Sequence, residues 1–141
     1  MPEALNGRLF DVLNALAGDL VRSLDADACA ISRVIGDVLI MVAERVPDDR
    51  TLLHGQGYLV SDYPQTAEVL ETGVPRTLTL DDTELDEAEA SVLREQGFGA
   101  LVMVPLEVNG ATWGLVEVYR FARLAFTTEQ IEQASRLSRL S

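Results

Sequence analysis

Leu101-Val-Met-Val-Pro-Leu-Glu-Val-Asn-Gly-Ala-Thr-Trp-Gly-Leu-Val-Glu-Val-Tyr119 is the stretch that decides the fold of this chain. It holds two apolar runs of strand length, separated by Asn109-Gly110, a pair typical of two-residue hairpin turns. Alternate residues of a strand point to opposite faces, and both faces of the first run are apolar. The stretch therefore predicts a β-hairpin whose first strand is covered on both sides.

A helix with a well-marked start follows this hairpin. With Thr127 as the N-cap, Gln130 falls at the third helical position and completes a capping box. Phe126 and Ile131 occupy the two positions of a hydrophobic staple. We predict a final helix over about residues 128–140.

The rest of the chain divides into short helices and strands. Leucines spaced by three and four residues predict an amphipathic opening helix, and two apolar runs around Gly36 predict a hairpin. In chain order, this helix is predicted at about 4–24 and the hairpin strands at 28–33 and 38–44. They are followed by a loop at 47–62, a helix at 63–72, a strand at 76–80 and a helix from Asp82 or Thr83 to about Gln96. This order indicates an α+β domain with an antiparallel sheet and helices on both faces.

Length and composition limit the possible functions. A chain of 141 residues suits one domain, residues 1–141, with one substantial core. The net charge of −12 would repel nucleic acid, so we expect no nucleic-acid partner. We also expect no membrane span or signal peptide, and hence a cytoplasmic protein. Cys29 is the only cysteine, which excludes an intrachain disulfide.

Several segments, taken in order, resemble the landmarks of the GAF domain family over about residues 5–140. They are Tyr63-Pro64-Gln65-Thr66, Thr72-Gly73-Val74-Pro75, Val104-Pro105-Leu106, Gly110, Gly114-Leu115-Val116, and Phe126 with Glu129. The resemblance implies a central antiparallel sheet of about five to six strands. It also implies that the terminal helices cover one face, and that short helices and loops cover a small-molecule pocket on the other.

Departures from the family pattern narrow the expected ligands. Tyr119-Arg120 stands where cyclic-nucleotide-binding members often carry an Asn-Lys pair, so cyclic nucleotide binding is not expected. Cys29 lies at the start of the first strand, away from the position where phytochrome-type members attach a bilin, so a covalent bilin is not expected. One cysteine is also too few for members that reduce methionine sulfoxide.

Family position indicates the side chains that would line the pocket, although each would also suit ordinary core packing. These candidates are Tyr58, Tyr63, Thr66, Leu70, Leu78, Phe98 and Met103. Glu117 joins them because strand alternation puts it on one face with Trp113, Leu115 and Tyr119, where an unpaired carboxylate would be costly. It is either a polar group of the pocket or a partly exposed strand residue, with Arg76 or Arg120 as its possible partner.

Two other features have a functional and a simpler interpretation. Six carboxylates between Asp81 and Glu89 match no calcium loop, and we interpret Asp82 to Glu84 as favouring a helix start and Asp86, Glu87 and Glu89 as its solvated side. His54, the only histidine, could ligate haem in a haem or redox sensor. A solvated loop histidine is the simpler interpretation, so we expect no cofactor and no metal.

Together these features predict a GAF-type sensory module that binds an unknown small molecule and acts as a homodimer through its first and last helices. The alternative is a scaffold for dimerisation or interaction whose pocket is filled by side chains. We expect no enzyme activity, because the sequence has no phosphate-binding loop and no nucleophile–base arrangement. The ligand and any attached output domain are not encoded in a recognisable pattern.

Overall fold

The computed structural model of the protein describes residues 2–47 and 57–141, with side chains from residue 8 onward. The elements in these ranges are α1 (Pro2–Ser23), β1 (Ala28–Ile35), β2 (Val38–Arg45), β3 (Gly57–Leu59), a 3-10 turn (Val60–Asp62), α2 (Pro64–Thr72), β4 (Arg76–Thr79), α3 (Glu87–Gln96), β5 (Ala100–Val108), β6 (Ala111–Arg120), α4 (Thr128–Leu137) and β7 (Arg139–Leu140). None of the helices described is long and apolar enough to span a bilayer.

The strands form one sheet in the order β3-β2-β1-β6-β5-β4, and every neighbouring pair on this path is antiparallel. β7 adds a short parallel pairing at the far end of β5. The predicted α+β class and the antiparallel sheet are therefore confirmed.

The hairpin of β5 and β6 has the predicted turn and the predicted burial. Asn109 and Gly110 both have positive φ, 52° and 83°, which the favoured two-residue turn requires. Leu101 and Met103 pack on one side of β5, while Val102 and Val104 pack on the other. The central strand is thus covered on both faces.

Two hydrophobic cores lie on opposite faces of the sheet. The first core lies under α1 and α4, and its members include Leu13, Leu16, Leu20, Leu24, Cys29, Ile31, Val102, Val104, Val116, Val118 and Phe126. The second core lies under α2 and α3, and its members include Leu39, Val69, Leu78, Leu93, Phe98, Leu101, Met103, Leu115 and Tyr119. This arrangement matches the layers that the GAF resemblance implies.

The start of α4 is confirmed and its end is corrected. The Thr127 hydroxyl accepts from the Gln130 amide, and the Gln130 side chain accepts from the Thr127 amide, as a capping box requires. The helix ends at Leu137 and not near residue 140. The carbonyl oxygens of Ser138 and Leu140 instead accept the Glu107 and Asn109 amides, because β4 leaves this part of the β5 edge uncovered.

Two further boundaries differ from the prediction. The Asp82 carboxylate accepts the Thr79 amide in a turn, and α3 begins later, with Asp86 as its N-cap. Gly57–Leu59, in the predicted loop, forms strand β3 against β2. Three residues are too few for a periodic pattern, so the pairing with β2 defines this strand.

Trp113 lies on the opposite side of the sheet from the predicted one. The register of β5 against β6 shifts at Leu106/Glu107, where Gly114 and then Thr112 are the partners on β6. Trp113 is the extra residue, so strand alternation is broken there and the indole packs against the first core. Glu117 keeps the predicted face, together with Leu115 and Tyr119.

Candidate ligand-binding site

A cavity lies between the sheet and the two helices α2 and α3. Its lining, which we call the tyrosine–glutamate cavity, consists of Met41, Tyr58, Tyr63, Thr66, Glu89, Val92, Gln96, Glu117 and Tyr119. About 40 Å³ is open to the centre of a water molecule, which is room for roughly three waters at about 10–15 Å³ each. The space is small, and its lining combines two carboxylates, the polar side chains of Thr66 and Gln96, three tyrosines and two aliphatic side chains.

Glu117 is the floor of this cavity. Strand β6 holds it in the middle of the sheet, and the residue is only 6% exposed. The hydroxyls of Tyr58 and Tyr119 each donate a hydrogen bond of 3.0 Å, one to each carboxylate oxygen. Burial raises the pKa of Glu117, and the two tyrosine hydrogen bonds partly offset that rise.

Glu89 brings a second carboxylate to the cavity from α3. The residue is 4% exposed, and the Thr66 hydroxyl of α2 donates a hydrogen bond to it. Burial first, and then the negative charge of Glu117, raise the pKa of Glu89 from 4.5 to about 7. The prediction that Glu89 lies on the solvated side of its helix is therefore wrong.

The position of the α3 start explains this error. The predicted helix begins at Asp82 or Thr83, whereas the Asp86 side chain accepts from the Glu89 amide and begins the helix later. Leu85 therefore lies outside the helix, and the residues that α3 buries are Glu89, Ala90 and Leu93. Asp86 followed by Glu89 three residues later is a capping-box pattern, the sequence signal that could have located this start.

Gln65 fixes the start of α3 against α2. Its side-chain oxygen accepts the Asp86 amide at 2.9 Å, and its side-chain nitrogen donates to the Glu84 carbonyl at 3.1 Å. One buried side chain thereby joins the two helices that cover the cavity.

Neither Arg76 nor Arg120, the two partners predicted for Glu117, contacts its carboxylate, whose hydrogen-bond donors are Tyr58 and Tyr119. Arg120 donates to the carbonyl oxygens of Leu24, Asp25, Leu124 and Ala125. Arg76 pairs with Glu68 at the surface. Within residues 8–47 and 57–141, no arginine forms an ion pair with Glu89 or Glu117.

Tyr58 and Tyr119 are held as neutral hydrogen-bond donors. Burial, the largest cause, and the nearby glutamates raise the pKa of Tyr58 and of Tyr119 far above the ordinary value. The rings of Tyr58 and Tyr63 meet edge to face, with centroids 5.4 Å apart. Tyr119 stacks on Phe98 at 4.6 Å, which fixes the ring from behind.

Four of the eight predicted site residues line the cavity, namely Tyr58, Tyr63, Thr66 and Glu117. Met103 lies directly beneath, where its sulfur is 3.4 Å from the Thr66 hydroxyl. Leu78 and Phe98 are core residues, and Leu70 lines a separate surface depression beside Val60 and Ala67. The lining residues not predicted from the sequence are Met41, Glu89, Val92, Gln96 and Tyr119.

Two cofactor hypotheses meet this geometry differently. His54 falls outside the described residues, so the structure does not test the haem hypothesis. Cys29 is 0% exposed in the first core, across the sheet from the cavity, and burial raises its thiol pKa. In the part of the chain that the structure describes, no group of three His, Cys, Asp or Glu side chains could hold a metal ion.

Comparison with known proteins agrees with this architecture. The family model of the GAF domain matches residues 9–140, nearly the whole chain, and the chain belongs to the GAF domain family. No curated protein matches it.

Solved structures of the same fold include photoreceptor domains. The blue-light absorbing form of the Thermosynechococcus elongatus PixJ GAF domain is 20% identical, with a TM-score of 0.79 over 96% of this chain and 82% of that one. A phycoerythrobilin-bound GAF domain from a cyanobacterial phytochrome is 19% identical, with a TM-score of 0.76 over 92% and 83%. The chromophore-binding domain of Stigmatella aurantiaca bacteriophytochrome is 16% identical, with a TM-score of 0.72 over 89% of this chain and 50% of that one. At these identities the likeness concerns the fold.

Proposed function

We propose that this GAF domain is a sensory module that binds a small molecule in the tyrosine–glutamate cavity and passes the binding event to its terminal helices. The observation that carries the proposal is the cavity itself, because two carboxylates more than nine-tenths buried face it together with three tyrosines. Buried charges are costly, and proteins keep them mainly where they do chemical work. The same proposal places the protein in the cytoplasm and assigns it no catalytic step.

Strand β6 supports a route from the cavity to the terminal helices. Glu117 faces the cavity, while its neighbours Val116 and Val118 pack in the first core, under α1 and α4. A ligand that moves the Glu117 carboxylate therefore acts on a strand whose other face contacts those helices. Close-packed interiors transmit such shifts.

The bilin-bound neighbours support a small ligand for this fold, but the cavity of this chain does not suit a bilin. A tetrapyrrole is far larger than a space with room for roughly three waters. The only thiol, that of Cys29, lies across the sheet in the other core. We therefore restrict the proposal to a compact molecule.

Native mass spectrometry of freshly purified protein tests the sensory proposal. The wild type should retain a small molecule, and the cavity-filling variant Val92→Trp should lose it. Ser91→Trp, on the exposed side of the same helix, is the matched control and should retain it. Retention by Val92→Trp, or no retained mass in the freshly purified wild type, would overturn the proposal.

Homodimerisation is a separate part of the proposal. The leucine stripe of α1 is used within the domain, since Leu13, Leu16 and Leu20 are buried in the first core. The dimer contact would instead use exposed apolar residues on the two flanks of that stripe, Phe10 and Val12, which are 44% and 46% exposed. Sedimentation velocity should show a dimer that the double variant Phe10→Glu/Val12→Glu dissociates and Ser23→Glu does not. A wild-type monomer at 100 μM would overturn it.

The small size of the cavity favours one alternative, a scaffold for interaction whose pocket side chains fill the space. In that case the mass spectra of the wild type and Val92→Trp are the same. The free energy of unfolding of Val92→Trp then shows whether side chains already fill the space. If they do, the added ring overpacks a core and should lower the stability by about 1–3 kcal/mol.

A further inference from the structure

The chemistry of the tyrosine–glutamate cavity points to one class of ligand. We propose that the cavity binds an ammonium group, a small organic cation held between the carboxylates of Glu89 and Glu117 and the rings of the three tyrosines. This inference rests on the proposed function and specifies its ligand.

Charge is the first argument. Glu89 and Glu117 are buried together, and no basic side chain pairs with either in the described part of the chain. Two neighbouring carboxylates repel each other, and a cation between them removes that repulsion. An anionic ligand would meet two like charges within a chain whose net charge is already −12.

Unused hydrogen-bonding capacity is the second argument. A carboxylate offers about four lone-pair sites. Glu117 uses two of them for Tyr58 and Tyr119, and Glu89 uses one for Thr66. The remaining sites accept N–H groups, and a primary ammonium has three to donate.

Ser32 gives an independent observation on the same floor. It pairs in register with Met41, which lines the cavity, and both belong to the cavity side of the sheet. Its hydroxyl is fully buried beside the Tyr58 hydroxyl and has no hydrogen bond of standard geometry among the described residues. Ser32 therefore adds a buried hydroxyl beside the tyrosine hydroxyls on the floor of the cavity.

The rings supply the third argument. Tyr58, Tyr63 and Tyr119 surround the two carboxylates, and aromatic faces attract ammonium groups through the ring quadrupole. The space has room for roughly three waters. It therefore suits a head group of a few heavy atoms and excludes bulkier cations, such as a guanidinium group carried on a rigid ring.

Methyl NMR provides a direct test. The chain has three methionines, of which Met41 lines the cavity and Met103 lies beneath it. The probes, at pH 8 and constant ionic strength, are methylammonium, tetramethylammonium, neutral tert-butanol and anionic acetate. We expect at least one ammonium probe to shift the Met41 and Met103 signals saturably, and tert-butanol and acetate to leave them in place.

Variants connect the signal to the carboxylates. Glu117→Gln and Glu89→Gln should each weaken ammonium binding by about tenfold or more, because each removes a charge in direct contact. Glu95→Gln removes an equal charge on the exposed side of α3 and should change affinity less than twofold at matched ionic strength. Methylammonium can donate N–H hydrogen bonds and tetramethylammonium cannot. Comparison of their affinities therefore shows whether hydrogen bonding or contact with the aromatic rings contributes more to binding.

The outcomes separate the two proposals. Saturable binding of tert-butanol or acetate at Met41, without the ammonium probes, overturns the cation assignment and leaves the sensory site in place. A response equal in Glu117→Gln and the wild type also overturns the assignment. No response to any probe, together with no molecule retained in native mass spectra, overturns the sensory proposal as well.

Discussion

Replacement of Glu89 by glutamine should change how the stability of this domain depends on pH. Burial and the charge of Glu117 raise the pKa of Glu89 from 4.5 to about 7. A carboxyl whose pKa is higher in the folded than in the unfolded protein binds more protons when folded. Its contribution to stability is therefore fully present below pH 4.5 and is lost as the pH rises through about 7.

The size of the effect follows from the same pKa difference. From 4.5 to about 7, at 1.36 kcal/mol for each pH unit, the ionisation of Glu89 costs roughly 3 kcal/mol of stability by pH 8. Glutamine keeps an acceptor for the Thr66 hydroxyl and carries no charge. The Glu89→Gln variant should thus gain about 3 kcal/mol relative to the wild type between pH 4 and pH 8. Any constant cost of the buried amide cancels in this difference.

Urea denaturation, followed through the fluorescence of the single tryptophan, Trp113, measures the effect at each pH. Glu95→Gln is the matched control, since that side chain lies on the exposed side of α3. Its stability relative to the wild type should vary by less than about 0.5 kcal/mol over the same range. A Glu89→Gln difference as flat as that of the control would refute the reasoning that Glu89 is buried beside Glu117.

Three other outcomes are expected. Tyr119→Phe should lower the free energy of unfolding by about 1–3 kcal/mol at pH 8, because the Tyr119 hydroxyl donates to buried Glu117. The Tyr63 hydroxyl has no hydrogen bond among the described residues, so Tyr63→Phe should change this free energy by under about 1 kcal/mol. Equal losses for the two variants in urea denaturation would contradict this expectation. The Cys29 thiol should react with a disulfide reagent only at the rate of unfolding, because the residue is fully buried and burial raises the thiol pKa. Rapid labelling of the native protein would show that α1 does not cover Cys29. Gly114→Ala should destabilise the domain by about 3 kcal/mol or more, because the added Cβ would lie 2.0 Å from the Ser32 carbonyl oxygen; a thermal midpoint like that of the wild type would contradict the close β1–β6 contact.

The features predictable from sequence are those specified by neighbouring residues. Asn109-Gly110 defines its turn through its own backbone preferences, and Thr127 with Gln130 defines the start of α4. The end of α4 depends instead on the uncovered edge of β5, a distant strand. A local pattern contains no information about which edge is open.

The candidate site follows the same division. Glu117 was predictable because strand alternation places it on a known face, and Tyr58, Tyr63 and Thr66 follow from family position. Glu89 was not, because the side of α3 that is buried depends on how this helix packs against α2 and the sheet. The tyrosine hydrogen bonds to Glu117 were also missed, since they join residues 59 positions apart in one case. Arginine was the expected partner on grounds of charge alone.

A crystal structure of the protein grown in methylammonium chloride at pH 8 tests the central claim most directly. Our account predicts density for the cation inside the tyrosine–glutamate cavity, with its nitrogen within about 3 Å of a carboxylate oxygen of Glu89 or Glu117. The account would be contradicted by a structure in which both carboxylates point into solvent, or in which the same space is closed by protein side chains with no bound molecule.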